Sequence, residues 1–111
     1  MKTVVCIKQV PGTHEVSIDP ETKRLKREGV EAVMNPFDAY ALEQAVLLRE
    51  EHGGEVIALS MGPKKAAVTL REAIACGADK AVLLNSRAFA GSDTWATSYA
   101  LAMAITQIGD V

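Results

Sequence analysis

Residues 55–85, EVIALSMGPKKAAVTLREAIACGADKAVLLN, read as strand, turn, helix, turn, strand, and no other stretch constrains the chain as tightly. Val56, Ile57, Ala58 and Leu59 are apolar in succession, as a strand covered on both faces must be. Ser60-Met61-Gly62-Pro63 breaks the run. Pro63 suits the first turn of a helix, where a missing N–H costs nothing. Ala66, Ala67, Leu70, Ala73 and Ile74 recur at helical spacing, and Gly77 stands where a left-handed C-cap is wanted. Ala81, Val82, Leu83 and Leu84 form a second apolar run. Two such strands around one helix make a βαβ crossover, which implies a parallel sheet and a right-handed connection. Ligands of such sheets sit beyond the carboxyl ends of the strands, so the turn at 60–63 is the first place to look for a site.

The flanking segments extend the same α/β alternation. TVVCIKQV at 3–10 reads as a first strand, expected in mid-sheet because Val4, Val5, Cys6 and Ile7 are all apolar; Pro11-Gly12 ends it. From His14 to Val30 the pattern changes to alternation, with Val16 and Ile18 on one side of an Asp19-Pro20-Glu21-Thr22 turn and Leu25 beyond it. This predicts a β-hairpin inserted at about 14–30. Its Lys23, Arg24, Lys26 and Arg27 suit a solvated edge that resists pairing, or a docking surface for another subunit. Asn35-Pro36-Phe37-Asp38 opens a long helix, with Asn35 as N-cap, Pro36 at N1 and Asp38 at N3 completing a capping-box-like pair. Ala41, Leu42, Ala45, Val46 and Leu48 supply its buried stripe, and Gly53-Gly54 stops it. After a loop at 86–91, Ser92 or Asp93 caps a last helix through Trp95, Tyr99, Met103 and Ile105. Gly109-Asp110-Val111 looks like the approach to a further strand. The reading is an open parallel sheet truncated after three βα units, a fragment that would self-associate to cover its bare edge.

Composition excludes several classes of function. Twelve Lys+Arg against 14 Asp+Glu leave a formal charge of −2, which gives no support for a nucleic-acid partner. No apolar run approaches the roughly 20 residues a membrane helix needs, so membrane insertion is not expected. MKTVVCIKQVP lacks a small-residue cleavage site and reads as strand, not signal peptide. Cys6 and Cys76 read as two buried thiols of a cytoplasmic chain.

No catalytic constellation is visible, so an enzyme is not expected. His14 and His52 have charged neighbours and no metal-ligand spacing. Cys6 inside an apolar strand suits packing better than nucleophilic attack. There is neither a GxGxxG after the first strand nor a GxxxxGK[ST], which argues against a dinucleotide-dependent dehydrogenase and a P-loop enzyme. Three segments still converge if the sheet forms as read: the end of strand one around Cys6, the turn at 60–62, and 86–97. In the last, Gly91-Ser92-Asp93-Thr94 offers free backbone N–H groups and hydroxyls at a helix start, suited to a phosphate or to plain N-capping, with the Asp93 carboxylate opposing the phosphate reading.

At these residues the chain resembles a known family, the β subunit of electron transfer flavoprotein, over its N-terminal part. The stretches that carry the likeness are VVCIKQVP at 4–11, REGVEAVMNPFDAYALEQAVLLRE at 27–50, EVIALSMGP at 55–63, REAIACGADKAVLL at 71–84 and AFAGSDTWATSYALA at 88–102. The resemblance implies a Rossmann-like fold of the adenine nucleotide alpha hydrolase-like kind. It implies an electron carrier in which this subunit binds AMP, or a second FAD in bifurcating relatives, and pairs with an FAD-holding α subunit that serves flavin dehydrogenases. By position the nucleotide contacts fall on Cys6, Asn35, Pro36, Phe37, Asp38 and Met61. The AFAGSDTWATS loop, similar to that of bifurcating members, adds Asp93, Thr94 and Thr97. The competing readings are a free-standing adenine-nucleotide sensor and an adenylating enzyme of the same architecture. The sensor needs a glycine-rich phosphate loop late in the chain, and none is seen; the enzyme needs a glycine/serine pyrophosphate loop after strand one, and KQVPG is a poor one.

Overall fold

The computed structural model describes residues 1–12, 17–18, 20–21, 25–26 and 32–111. In chain order the elements are β1 (Lys2–Cys6), β2 (Gln9–Pro11), β3 (Ser17–Ile18), β4 (Leu25–Lys26), β5 (Ala32–Met34), α1 (Pro36–His52), β6 (Glu55–Met61), α2 (Ala67–Ala75), β7 (Lys80–Leu84) and α3 (Thr94–Ile108). The main sheet has the order β1-β6-β7 with both pairings parallel, so the βαβ unit read from 55–85 forms. The fold is α/β and Rossmann-like.

β6 lies at the centre of this sheet, and its Val56, Ile57, Ala58, Leu59 and Ser60 are all buried. β1 was expected in mid-sheet and instead takes an edge position among the described strands. Its apolar run reports helices over the sheet faces, not strand neighbours on both sides. One face packs Val5, Ile7, Val56 and Ala58 against Leu42 and Ala45 of α1 and Leu70 and Ala73 of α2. Burying such a set of aliphatic side chains removes on the order of 25 cal/mol of unfavourable hydration per Å² of apolar surface. On the other face, Val82 and Leu84 of β7 line a hollow with α3. Trp95, Tyr99 and Met103 of α3 follow the expected helical spacing, yet all three are exposed.

The first strand is shorter than its apolar run. Ile7 N–H still donates to the Leu59 carbonyl at 2.8 Å, after which the chain leaves the sheet and Gln9–Pro11 pairs antiparallel with Ala32–Met34. The hairpin expectation is met by β3 and β4, paired antiparallel, with Pro20 and Glu21 in the turn between them. His14, Val16, Lys23, Arg24 and Arg27 lie outside the described residues.

Helix ends follow local chemistry. The Asn35 side chain accepts from Phe37 N–H at 3.0 Å, the N-cap read from sequence. Pro63 precedes a 3-10 turn, Lys64–Ala66, rather than sitting inside α2. α2 ends in a Schellman motif, with Gly77 N–H donating to the Ile74 carbonyl at 3.1 Å and Ala78 N–H to the Ala73 carbonyl at 3.0 Å. Cys6 and Cys76 are free and exposed, which corrects the expectation of two buried thiols. Cys6 is the last residue of β1 and Cys76 the helix cap, so neither lies beneath the packed layers.

Candidate functional site

The carboxyl ends of β1 and β6 are adjacent because the two strands run parallel in a register that pairs Val5 with Ala58 and Cys6 with Leu59. Paired residues share a face and side chains alternate, so Cys6 and Met61 both point to the face opposite the α1 and α2 layer. The N-terminus of α1 reaches the same end of the sheet. Its approach is fixed through one residue, Lys8, just beyond β1. Asn35 N–H donates to the Lys8 carbonyl at 2.8 Å, and Lys8 N–H donates to Asp38 Oδ2 at 2.8 Å. The Lys8 ammonium donates to the Met61 carbonyl at 3.1 Å.

Asp38 therefore departs from the capping box read in the sequence. Its carboxylate accepts from the main chain of Lys8, thirty residues away, instead of turning back to Asn35. Asn35 N–H is itself spent on the Lys8 carbonyl, so local capping gives way to a tertiary clasp. Asn35 Oδ1 is occupied by Phe37 N–H, which leaves its amide Nδ2 as the group able to donate to a ligand.

The structure thus brings together Cys6, Asn35, Pro36, Asp38 and Met61 at one end of the sheet. Phe37 belongs to the same turn and is 78% exposed. Asp93, Thr94 and Thr97 stand at the start of α3, where the Asp93 carboxylate accepts from Ala96 N–H at 2.8 Å as a helix cap. Among the described residues, no hydrogen bond or ion pair joins these three to the Cys6, Asp38 and Met61 group. Lys8 was not singled out by sequence reading. The available signal was a lysine directly after an apolar strand, at the end where ligands bind.

The electrostatics of the group are mild. Although Cys6 reaches solvent, partial burial of its thiol, and secondly the Asp38 carboxylate, push its pKa up, so it is a neutral soft surface at pH 7. No group of three His, Cys, Asp or Glu side chains able to hold a metal ion occurs among the described residues. A hollow of about 20 Å³ lies beside Lys8, Gln9, Pro63 and Lys65, room for no more than about one water. A larger hollow of about 810 Å³ opens between β7 and α3. Its lining, which includes Val82, Leu84, Phe89, Trp95 and Tyr99, holds no charged side chain and none of Cys6, Asn35, Asp38 or Met61. No residue of β1 or β6 lines it.

The arrangement can do one thing well. Sulfur-bearing side chains give a polarisable apolar surface, and an ordered helix start gives hydrogen-bonding groups at its rim, which together suit a planar heterocycle with a polar edge. It offers no paired nucleophile and base.

Comparison with known proteins places these features in a family. A family model for the electron transfer flavoprotein domain matches residues 22–111. The chain is 59% identical over 105 residues to the electron transfer flavoprotein subunit beta of Thermoanaerobacterium thermosaccharolyticum, covering 95% of this chain and 40% of that protein. It is 54% identical over 110 residues to Protein FixA of Azorhizobium caulinodans, covering 99% and 39% respectively. It is 53% identical over 112 residues to the caffeyl-CoA reductase-Etf complex subunit CarD of Acetobacterium woodii, covering 100% and 43%. The chain thus spans about two fifths of the length of these relatives. With the match running through the α1 start, the central βαβ unit and α3, the chain belongs to the electron transfer flavoprotein domain family.

Proposed function

We propose that residues 1–111 form the N-terminal part of the nucleotide-binding domain of an electron transfer flavoprotein β subunit, acting in the cytoplasm. In this reading the slot bounded by Cys6, residues 35–38 and Met61 receives the adenosine of AMP or FAD. The subunit pairs with an FAD-carrying α subunit, and the pair carries electrons away from flavin dehydrogenases. The observation that carries the reading is the clasp at Lys8, which ties three separate segments into one rim at the carboxyl end of a parallel sheet.

The residues fit an adenosine on chemical grounds. Cys6 and Met61 present sulfur and methylene surface to a ring, and the Asn35 amide can donate to a ring or ribose edge. Asp93, Thr94 and Thr97, at a helix start, take the part of the site nearest the phosphates. When bound, FAD supplies the redox chemistry, and the chain's own residues hold and orient the nucleotide. None of them is asked to move a proton, so the role is that of a carrier and not of an enzyme.

The test is the nucleotide content of the intact two-subunit protein. One flavin and one AMP per heterodimer, or two flavins, is the expected result. A β subunit that retains neither AMP nor a flavin, and takes up neither on titration, refutes the proposal.

A further inference from the structure

We infer that Lys8 is the positioning residue of the adenosine slot, an inference that rests on the nucleotide-binding reading above. Its ammonium holds the carboxyl end of β6 against that of β1 and so fixes the spacing at which Cys6 and Met61 can flank a ring.

Three observations carry this. First, the Lys8 main chain is anchored independently of its side chain, through the carbonyl to Asn35 N–H and the N–H to Asp38 Oδ2, each at 2.8 Å. The ammonium therefore projects from a fixed base. Second, it reaches across to the carbonyl of Met61, 53 positions away and the last residue of β6, at 3.1 Å. Gly62 N–H in turn donates to the Leu84 carbonyl at 3.0 Å, which keeps the exit of β6 in line with β7. Third, the turn leaves room for the ammonium. A Cβ on Gly62 would lie 3.3 Å from Ala66 Cβ, tight against the start of the following helix, and 3.5 Å from Lys8 Nζ, already in contact, so any larger side chain there would compete for the space the ammonium occupies.

The mechanism is preorganisation. A ring held between two side chains loses affinity when their separation fluctuates, because the cost of fixing it then falls on binding. Charge-assisted hydrogen bonds are the stronger class, which suits one to this task. Lys8 does not need to touch the ligand.

The experiment compares Lys8→Met, which keeps the length of the side chain and removes its donor, with Lys8→Arg, which keeps a donor. Both are made in the two-subunit protein and stripped of resident nucleotide. AMP and adenosine are titrated by calorimetry, and thermal unfolding is followed without nucleotide. Lys8→Met is expected to raise Kd for AMP and for adenosine by the same factor, about tenfold, as the loss of one hydrogen bond to a charged group implies. The nucleotide-free melting temperature should fall by a few degrees at most, since the bond lost is solvent-exposed, and Lys8→Arg should recover most of the affinity. Loss of AMP affinity with adenosine unaffected would overturn the inference, because the ammonium would then be meeting the phosphate directly. A lowered melting temperature with unchanged Kd would also overturn it, leaving only a structural tie. If the wild-type protein binds neither ligand, the nucleotide-binding reading itself fails and this inference falls with it.

Discussion

Replacing Gly77 with Ala should destabilise the fold through two separable costs. Gly77 has φ +122°, outside the small left-handed region that other residues visit. Forcing Ala there costs roughly 1–3 kcal/mol. A Cβ at this position would also lie 2.9 Å from Val46 Cγ2, and Val46 is stiff about χ1 on its helix, so it cannot swing aside. Crowding of this kind adds roughly 1–3 kcal/mol. The sum, about 2–6 kcal/mol, is a large part of the stability of an ordinary domain. Gly53 is the control, since its φ is +74° and a Cβ there meets nothing within 4 Å. With ψ −177° its backbone also lies in a region kept for glycine, so Gly53→Ala should carry only the conformational cost, about 1–3 kcal/mol. Urea unfolding followed by circular dichroism gives both values, provided m is unchanged. In the Gly77→Ala background, Val46→Ala should be less harmful than in the wild type, with a coupling of about 0.5–3 kcal/mol. Equal losses for the two glycine variants, or independent effects of Val46→Ala and Gly77→Ala, would refute the steric argument.

Two further predictions concern titratable groups. The Asp79 carboxyl lies below the usual carboxylate range because it accepts from Val56 N–H and then from Arg49, each at 2.8 Å. A depressed folded value means its contribution is present above the unfolded pKa of about 3.9 and is lost as pH falls through the folded value. Asp79→Asn should therefore lower the urea midpoint at pH 7 and have far less effect near pH 2; an equal drop at both would refute the assignment. In a Cys76→Ser background, Cys6 should alkylate with iodoacetamide more slowly at pH 7 than an ordinary exposed thiol, Asp38→Asn should speed it, and AMP should protect it in the two-subunit protein. Rapid alkylation indifferent to Asp38 and AMP would count against both the thiol's environment and its place in the slot.

Much of the architecture was legible because it rests on local signals. The continuous apolar run of β6, the helical spacing through Leu70 and Ala73, and Gly77 at the cap each have one ready explanation, and together they allow little but a βαβ unit. The lateral order was not legible in the same way. An apolar run such as Val4, Val5, Cys6, Ile7 records cover above and below a strand but says nothing of its neighbours to either side, so β1 could be read into mid-sheet. Thiol burial failed for a related reason. Cys6 sits in an apolar context, but at the last residue of its strand, where cover from the helices gives out.

The clasp shows where local reasoning stops. From sequence, Asp38 at N3 has a short-range partner available in Asn35, and the capping box is the economical choice. In the folded chain the end of β1 arrives beside the same helix start with two main-chain groups of its own, and both Asn35 N–H and Asp38 Oδ2 turn to Lys8. The backbone polar groups freed where β1 leaves the sheet must be satisfied somewhere, and the helix start is the nearest set of matching donors and acceptors. The pairing follows from topology, because the same short distance between strand end and helix start recurs wherever a parallel strand exits toward a crossover helix. In this chain that exit is also the end of the sheet where Cys6 and Met61 lie, so the bonds that close the fold there would be the ones that shape the proposed slot.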